Sequence, residues 1–211
     1  MARTVYSRGE IVADAVVHAV GVSFAAVAGP FLVARAAAAG DAATLAAVSV
    51  YAATMFATFA LSACYNLLPA PRWREALRRL DHGAIYLKIA GTYTPFAAVS
   101  LAKSVGGALL VGVWTVAGIG FLVKIAAPRR FEAGSIALYL ALGWAIVWVA
   151  REALEALSPA ALTLLAAGGV LYTVGVAFHL WDALRFQNAI WHLHVLVASV
   201  CMYAAVVVEL F

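Results

Sequence analysis

The sequence predicts an all-α integral membrane protein built as a bundle of seven transmembrane helices. First, 66% of the 211 residues are hydrophobic and only 11% are charged, and the mean hydropathy is +0.98. A soluble domain carries about 25% charged residues, so this chain has too few charges to cover a water-exposed globule. Second, the apolar residues form long runs without the alternation of strands, which excludes a β-barrel.

Seven runs are long enough to cross a bilayer, which takes about 20 mostly apolar residues. Short breaks with glycine, proline or charged residues separate them, so we expect one membrane domain over residues 1–211. The first run is longer than a signal-peptide core of about 7–15 residues, and we expect it to be retained. The predicted spans are about 12–38, 42–69, 81–102, 104–126, 133–151, 156–181 and 187–210.

The positions of Lys and Arg predict the orientation of the bundle. With seven spans, one side holds nine of these residues: Arg3, Arg8, Arg72, Arg74, Arg78, Arg79, Arg129, Arg130 and Arg185. The opposite side holds three: Arg35, Lys103 and Arg151. Positive charge stays cytoplasmic, so we predict a cytoplasmic N-terminus and an external C-terminus in the cell's inner membrane. The net charge of +4 therefore reflects orientation and not nucleic-acid binding, and the lipid bilayer is the expected partner.

Polar residues collect at the cytoplasmic ends of five of the seven predicted helices. They are Glu10, Asp14, His18, Ser62, Asn66, Asp81, His82, His179, Asp182, Asn188 and His192. Ionisable groups inside a bilayer are costly unless paired or hydrated, and therefore indicate functional sites. For Glu10, His82 and Asp182 we favour helix capping. For the residues one or more turns deeper, we favour a shared site over simple interhelical hydrogen bonding; these are Asp14, His18, Asn66 and His192.

Two runs of helix 3, Leu80–Tyr86 and Ile89–Phe96, closely resemble the third-helix signature of the hemolysin III proteins. These proteins are the bacterial branch of the progestin and adipoQ receptor (PAQR) superfamily. Three further motifs are similar to family motifs and occur in the same order: Glu10, Asp14 and His18 in helix 1, Ser62 and Asn66 in helix 2, and Asn188 and His192 in helix 7. The resemblance covers the whole chain and implies a seven-helix bundle with the N-terminus inside.

The resemblance also implies a zinc site at the cytoplasmic end. In the family, one histidine of helix 2 and two of helix 7 hold the metal, at the positions of Asn66, Asn188 and His192 here, and the aspartate corresponding to Asp81 positions a water. Zinc with three protein ligands lowers the pKa of a bound water to about 7. The implied chemistry is hydrolysis of a lipid amide of the ceramide type, with Asp81 and Ser62 as catalytic residues.

This chain departs from the family pattern at two of the three zinc positions, Asn66 and Asn188. A carboxamide oxygen is a weak, neutral ligand for Zn²⁺, so these replacements predict loss of tight zinc binding by the family's ligand set. A rewired set remains open, because Asp14, His18 and His192 together with Asp81 offer adequate ligand types.

Lys88 is a second departure, because family members usually carry an apolar residue there. It follows Asp81 by seven residues, which places it about 10 Å deeper and nearly on the same helix face. We hypothesise that Lys88 supplies the positive charge that a metal would otherwise provide, by pairing with Asp81, Asp14 or both. The alternative is that its side chain extends toward a membrane interface.

Three functions therefore compete at the sequence level. The first is a membrane-embedded lipid hydrolase, and the second is a degenerate, non-catalytic member that acts in membrane homeostasis or lipid sensing. The third is a pore, against which no span shows the continuous polar stripe of an aqueous path. A retinal protein is excluded, because it needs a lysine on the last helix and helix 7 has none.

Overall fold

The structure is a computed structural model that describes residues 6–127 and 132–211, without the side chains of 132 and 133. A π-helical turn, Phe96–Ser100, follows α3, and a 3-10 turn, Ala145–Val149, joins α5 to α6. The α-helices of the described chain are α1 (Arg8–Ala39), α2 (Ala42–Leu67), α3 (Arg74–Pro95), α4 (Lys103–Ala126), α5 (Glu132–Gly143), α6 (Ala150–Ala156), α7 (Pro159–His179) and α8 (Gln187–Leu210).

The helices form a closed ring. From α1 to α5 each helix packs against its neighbours in the chain, α5 also contacts α7, and α8 packs between α7 and α1. This arrangement brings the first turns of α1 and α8 to the same end of the bundle as the last turn of α2. The polar motifs of α1, α2 and α8 therefore meet, although the α8 motif is more than 100 residues from the other two in sequence.

The exposure pattern of α1 is inverted relative to a soluble helix. Its buried stripe contains the polar side chains Glu10, Asp14 and His18, whereas large apolar residues such as Val27 and Phe31 are exposed. In water this arrangement would be unfavourable, but in a bilayer the apolar face contacts lipid and the polar face contacts protein. The packing thus agrees with the membrane-protein class that the composition predicts.

Six segments of the described chain are long and apolar enough to cross a membrane. They are Arg8–Ala39, Ala42–Leu67, Lys103–Ala126, Gly134–Ala156, Pro159–His179 and Gln187–Leu210. Helix α3 is not among them, because its charged side chains, from Arg74 to Lys88, make it polar on average. It nevertheless lies between α2 and α4 in the ring. The chain is a multi-pass membrane protein in contact with the lipid bilayer.

The fifth predicted span differs from a single helix over 133–151. Helix α5 ends at Gly143, and the chain continues through the 3-10 turn into α6. Tyr93 of α3 satisfies the backbone at this interruption, because its hydroxyl donates to the Gly143 carbonyl (2.8 Å) and accepts from the Ile146 amide (3.0 Å). The interruption depends on a side chain from another helix, so the local sequence did not indicate it.

The third helix is also displaced from its predicted bounds of 81–102. It begins at Arg74, about two turns earlier, and passes into the π-helical turn after Pro95. Only the apolar part of this helix is visible as a hydrophobic run, so its charged first turns were assigned to a loop. Elsewhere Ser158 caps α7, which starts that helix three residues after the predicted 156.

Small residues allow close approach of neighbouring helices. A methyl group built on Gly120 of α4 would lie 2.5–2.7 Å from ring atoms of Tyr86 on α3, and the Tyr86 ring is buried at 2% exposure. Gly112, two turns earlier on the same helix, has no atom within 4 Å of the corresponding position. The two glycines therefore have different roles: Gly120 permits the α3–α4 contact, whereas Gly112 faces open space.

We expect Gly120→Ala to destabilise the protein by about 1–3 kcal/mol, because overpacking forces a buried ring to move. Gly112→Ala is the matched control, and there the higher helix propensity of alanine should leave stability unchanged or raise it by up to about 1 kcal/mol. Thermal unfolding of the two variants in one detergent compares these effects. Equal unfolding midpoints would show that the α3–α4 contact is not limited by Gly120.

Candidate functional site

The Asp14 carboxylate is the centre of a buried polar cluster at the end of the bundle where α1 begins. Its Oδ1 accepts a hydrogen bond of 2.6 Å from His192 Nδ1, and its Oδ2 accepts one of 3.0 Å from Asn188 Nδ2. Asn188 and His192 are one turn apart on α8, so both face α1. The side chains of Asp14 and His192 are only 10% and 13% exposed.

His18 and the two residues of α2 complete the cluster. His18 Nδ1 donates to the backbone carbonyl of Asp14 (2.8 Å), and its Nε2 lies 3.3 Å from the Ser62 hydroxyl. Asn66 Nδ2 donates to the Ser62 carbonyl (2.9 Å), while Asn66 Oδ1 accepts from Asn188 (3.3 Å). The rings of His18 and His192 meet edge to face, with centroids 4.3 Å apart.

Asp81 joins the cluster from α3. It is 9% exposed, and it lines the same cavity as Ser62, His18 and His192. The structure thus brings together the seven polar residues that the sequence assigned to the site: Asp14, His18, Ser62, Asn66, Asp81, Asn188 and His192.

Three residues of the cluster, Asp14, His18 and His192, could together hold a divalent metal. Only His192 is also one of the zinc positions that the family resemblance implies. One ligand atom each from Asp14, His18 and His192 lies within 4.8 Å of the others. Both imidazoles donate their Nδ1–H to an oxygen of Asp14, and His18 Nε2 lies beside the Ser62 hydroxyl. Asn66 and Asn188 instead bond each other and their neighbours.

Lys88 does not pair with Asp81 or Asp14, contrary to our hypothesis. Its Nζ donates to Ser199 Oγ at 2.5 Å and lies over the rings of Phe59 and Tyr172, 4.8 and 5.1 Å from their centroids. The side chain points into the bundle and is 6% exposed, so it does not extend to an interface either. Lys88 does not reach these carboxylates because it lies two helical turns deeper along α3 than Asp81.

A cavity of about 890 Å³ extends from the cluster into the bundle. His18, Asp81 and His192 line one part of it, and Lys88 and Tyr172 line a deeper part. Its remaining wall is formed largely by apolar side chains of the segments from α5 to α7: Leu140, Val147, Leu154, Leu162 and Leu165. A long apolar chain attached to a polar group would match this distribution.

The sequence matches the family described as haemolysin-III related over residues 10–203. The chain belongs to this family. It is 39% identical over 197 residues to Hemolysin-3 of Bacillus cereus, covering 93% of this chain and 90% of that protein. It is 36% identical over 197 residues to the Hemolysin-3 homolog of Bacillus subtilis (strain 168), covering 93% and 92%. No solved structure matches it.

Other polar residues of this haemolysin III-family protein have structural roles. Glu10 forms a capping box with Ser7 at the start of α1, and its second oxygen accepts from the Phe186 amide before α8 (3.0 Å). Phe186 adopts a positive φ of 61°. His194 faces away from the cluster, where its Nδ1 donates to the Ile190 carbonyl and its ring contacts Phe178.

Sequence reasoning missed three residues of the cavity. Ser199 and Tyr172 hold Lys88, and Lys124, which is 3% exposed near the end of α4, also lines the cavity. A signal for Ser199 was present, because it follows His192 on α8 by the same seven residues that separate Lys88 from Asp81 on α3. Tyr172 was not singled out, because it lies in the mainly apolar sequence of α7.

We expect Asp14→Ala to destabilise the fold by about 3 kcal/mol, because it leaves buried donors of His192 and Asn188 without an acceptor. Glu155→Ala is the control: Glu155 also pairs with a cation, Arg151, but its side chain is 65% exposed, and such pairs contribute about 0–1 kcal/mol. Denaturation of both variants in mixed micelles measures the difference. A small, equal effect would mean that Asp14 does not hold α1 to α8.

Proposed function

We propose that this haemolysin III-family protein is a membrane-embedded hydrolase of a lipid amide of the ceramide type, with zinc held by Asp14, His18 and His192. The observation that supports it is that two of these potential ligands, His18 and His192, line one end of a cavity whose remaining wall is largely apolar. Two imidazoles and a carboxylate are also the ligands of known hydrolytic zinc sites.

The roles of the chain's own residues follow from their contacts. A bound Zn²⁺ supplies Lewis acidity and lowers the pKa of a coordinated water. Asp81 lies beside Ser62 at the cavity wall, where its carboxylate can accept a proton from an attacking water. The Ser62 hydroxyl, 3.3 Å from His18 Nε2, orients the His18 ring. Asn188 and Asn66 are positioning residues that fix the Asp14 carboxylate.

The cavity supports a lipid substrate over a soluble one. Its apolar wall along α5, α6 and α7 can hold an acyl chain, and the polar cluster lies at one end, where the amide bond would be placed. A bound acyl chain would exclude bulk water from the cavity, and this would strengthen the electrostatic interactions within the cluster.

We also propose that α3 is a seventh span, that the N-terminus and the polar cluster lie on the cytoplasmic side of the inner membrane, and that the C-terminus lies outside. Support comes from the position of α3 between two apolar helices and from the excess of Arg, among the described residues, at the end of the bundle where α1 begins.

For the metal, we expect near-stoichiometric zinc in the purified protein and loss of most of it in His192→Ala, because one of three ligands is removed. His194→Ala is the matched control, since this histidine is two residues away and faces α7. Elemental analysis of the three proteins measures the metal content, and proteoliposomes containing a fluorescent ceramide analogue measure fatty-acid release.

We expect Asp81→Asn to retain zinc but to release fatty acid at least 100-fold more slowly, as for loss of a general base. Absence of zinc from the wild type would contradict the metal site. Zinc without hydrolysis would contradict the hydrolase and favour lipid sensing, and leakage of the proteoliposomes would favour a pore.

For the topology, we expect alkaline phosphatase to be active when fused to the C-terminus, because this enzyme folds only outside the cytoplasm. Green fluorescent protein fused to the N-terminus should fluoresce. A phosphatase fusion after Gly40, the predicted first external loop, is the positive control. An inactive C-terminal fusion beside an active Gly40 fusion would show an even number of spans.

A further inference from the structure

Lys88 is a buried cation without a carboxylate partner. Its side chain is 6% exposed, and its one hydrogen-bond acceptor in the described chain is Ser199 Oγ. The faces of the Phe59 and Tyr172 rings flank the ammonium group, an arrangement that stabilises a positive charge. A charged lysine at this depth remains costly unless an opposite charge reaches it.

The contacts around Lys88 leave hydrogen-bond donors in excess. An ammonium group has three N–H donors, and Ser199 accepts only one of them. The Ser199 hydroxyl itself donates to the Val195 carbonyl (2.6 Å), so the Tyr172 hydroxyl donates to Ser199 Oγ (2.9 Å). Two Lys88 donors therefore face ring surfaces and the cavity, which gives an acceptor molecule in the cavity an available binding point.

Lys88 lies deeper in the bundle than the polar cluster around Asp14. Lys88 follows Asp81 on α3 by seven residues, and Ser199 follows His192 on α8 by seven residues, which places both about 10 Å deeper. The cavity connects the two levels, and its apolar wall begins beside Lys88. A molecule with one anionic end and an alkyl chain could occupy the deep part without touching Asp14 or His18.

We infer that Lys88, Ser199 and Tyr172 form a binding site for the carboxylate of a single-chain fatty acid, whose alkyl chain lies along the apolar wall. Charge matching favours a carboxylate, because the deep level holds a single cation. A phosphate monoester carries about −1.5 to −2 and needs more. The other Lys and Arg side chains that line the cavity belong to helix ends: Arg74 lies about 20 Å away along α3, and Lys124 is in the last turn of α4. The inference does not depend on hydrolysis.

Binding of radiolabelled dodecanoate to the purified protein in a non-ionic detergent tests the site. Dodecanol and dodecyl phosphate serve as the neutral and doubly charged competitors. We expect dodecanoate to bind at least tenfold more tightly than dodecanol, and Lys88→Met to remove this preference. Lys103→Met is the matched control, because Lys103 is exposed at the opposite end of the bundle.

His192→Ala separates this site from the proposed metal centre, to which a carboxylate could also bind. We expect His192→Ala to keep the dodecanoate preference. Loss of the preference in His192→Ala with retention in Lys88→Met would overturn the inference, as would dodecyl phosphate binding as tightly as dodecanoate. If Lys88→Met does not fold, the wild-type protein still decides, because equal binding of dodecanoate and dodecanol there excludes a carboxylate site.

Discussion

The buried Asp14 carboxylate is the interaction on which the polar end of the bundle depends. An ionised carboxylate inside a membrane protein must be paired, and its partners here, Asn188 and His192, come from the last helix. The first and last helices of the ring are thereby joined through charge-assisted hydrogen bonds. The Asp14 carboxylate also orients His192, and the Asp14 backbone carbonyl orients His18. The residue that joins α1 to α8 therefore also brings the candidate metal ligands together.

Much of the site followed from the sequence, because helical spacing and orientation are local properties. Residues four apart share a face, and the charge distribution predicted that the polar ends of the helices lie at one level. The same reasoning could not predict which atoms pair. Lys88 was assigned to Asp81 or Asp14, but two turns of helix separate it from them, and its partners, Ser199 and Tyr172, come from α8 and α7.

The fold likewise has features that the sequence predicted and features that it could not predict. Long apolar runs predicted the six described segments that can cross a membrane, and α8 begins at residue 187 and ends at residue 210, as predicted. The interruption after Gly143 was not predictable, since it depends on the hydroxyl of Tyr93 from another helix. The charged start of α3 was missed for the opposite reason: its helical turns carry no hydrophobic signal, and packing between α2 and α4 decides that they form.

Asn66 and Asn188 stand where the family resemblance implies imidazole ligands, and amides differ from imidazoles in their response to acid. Histidine is the side chain that ordinarily gains a proton between pH 5 and 8, and protonation of ligands releases metal. The amides of asparagine do not titrate there, so the hydrogen bond between Asn66 and Asn188 contains no group that gains a proton in mild acid. The titratable groups of the cluster are therefore two imidazoles, those of His18 and His192, and two carboxylates, those of Asp14 and Asp81. Any effect of acid on the cluster would arise from these four groups.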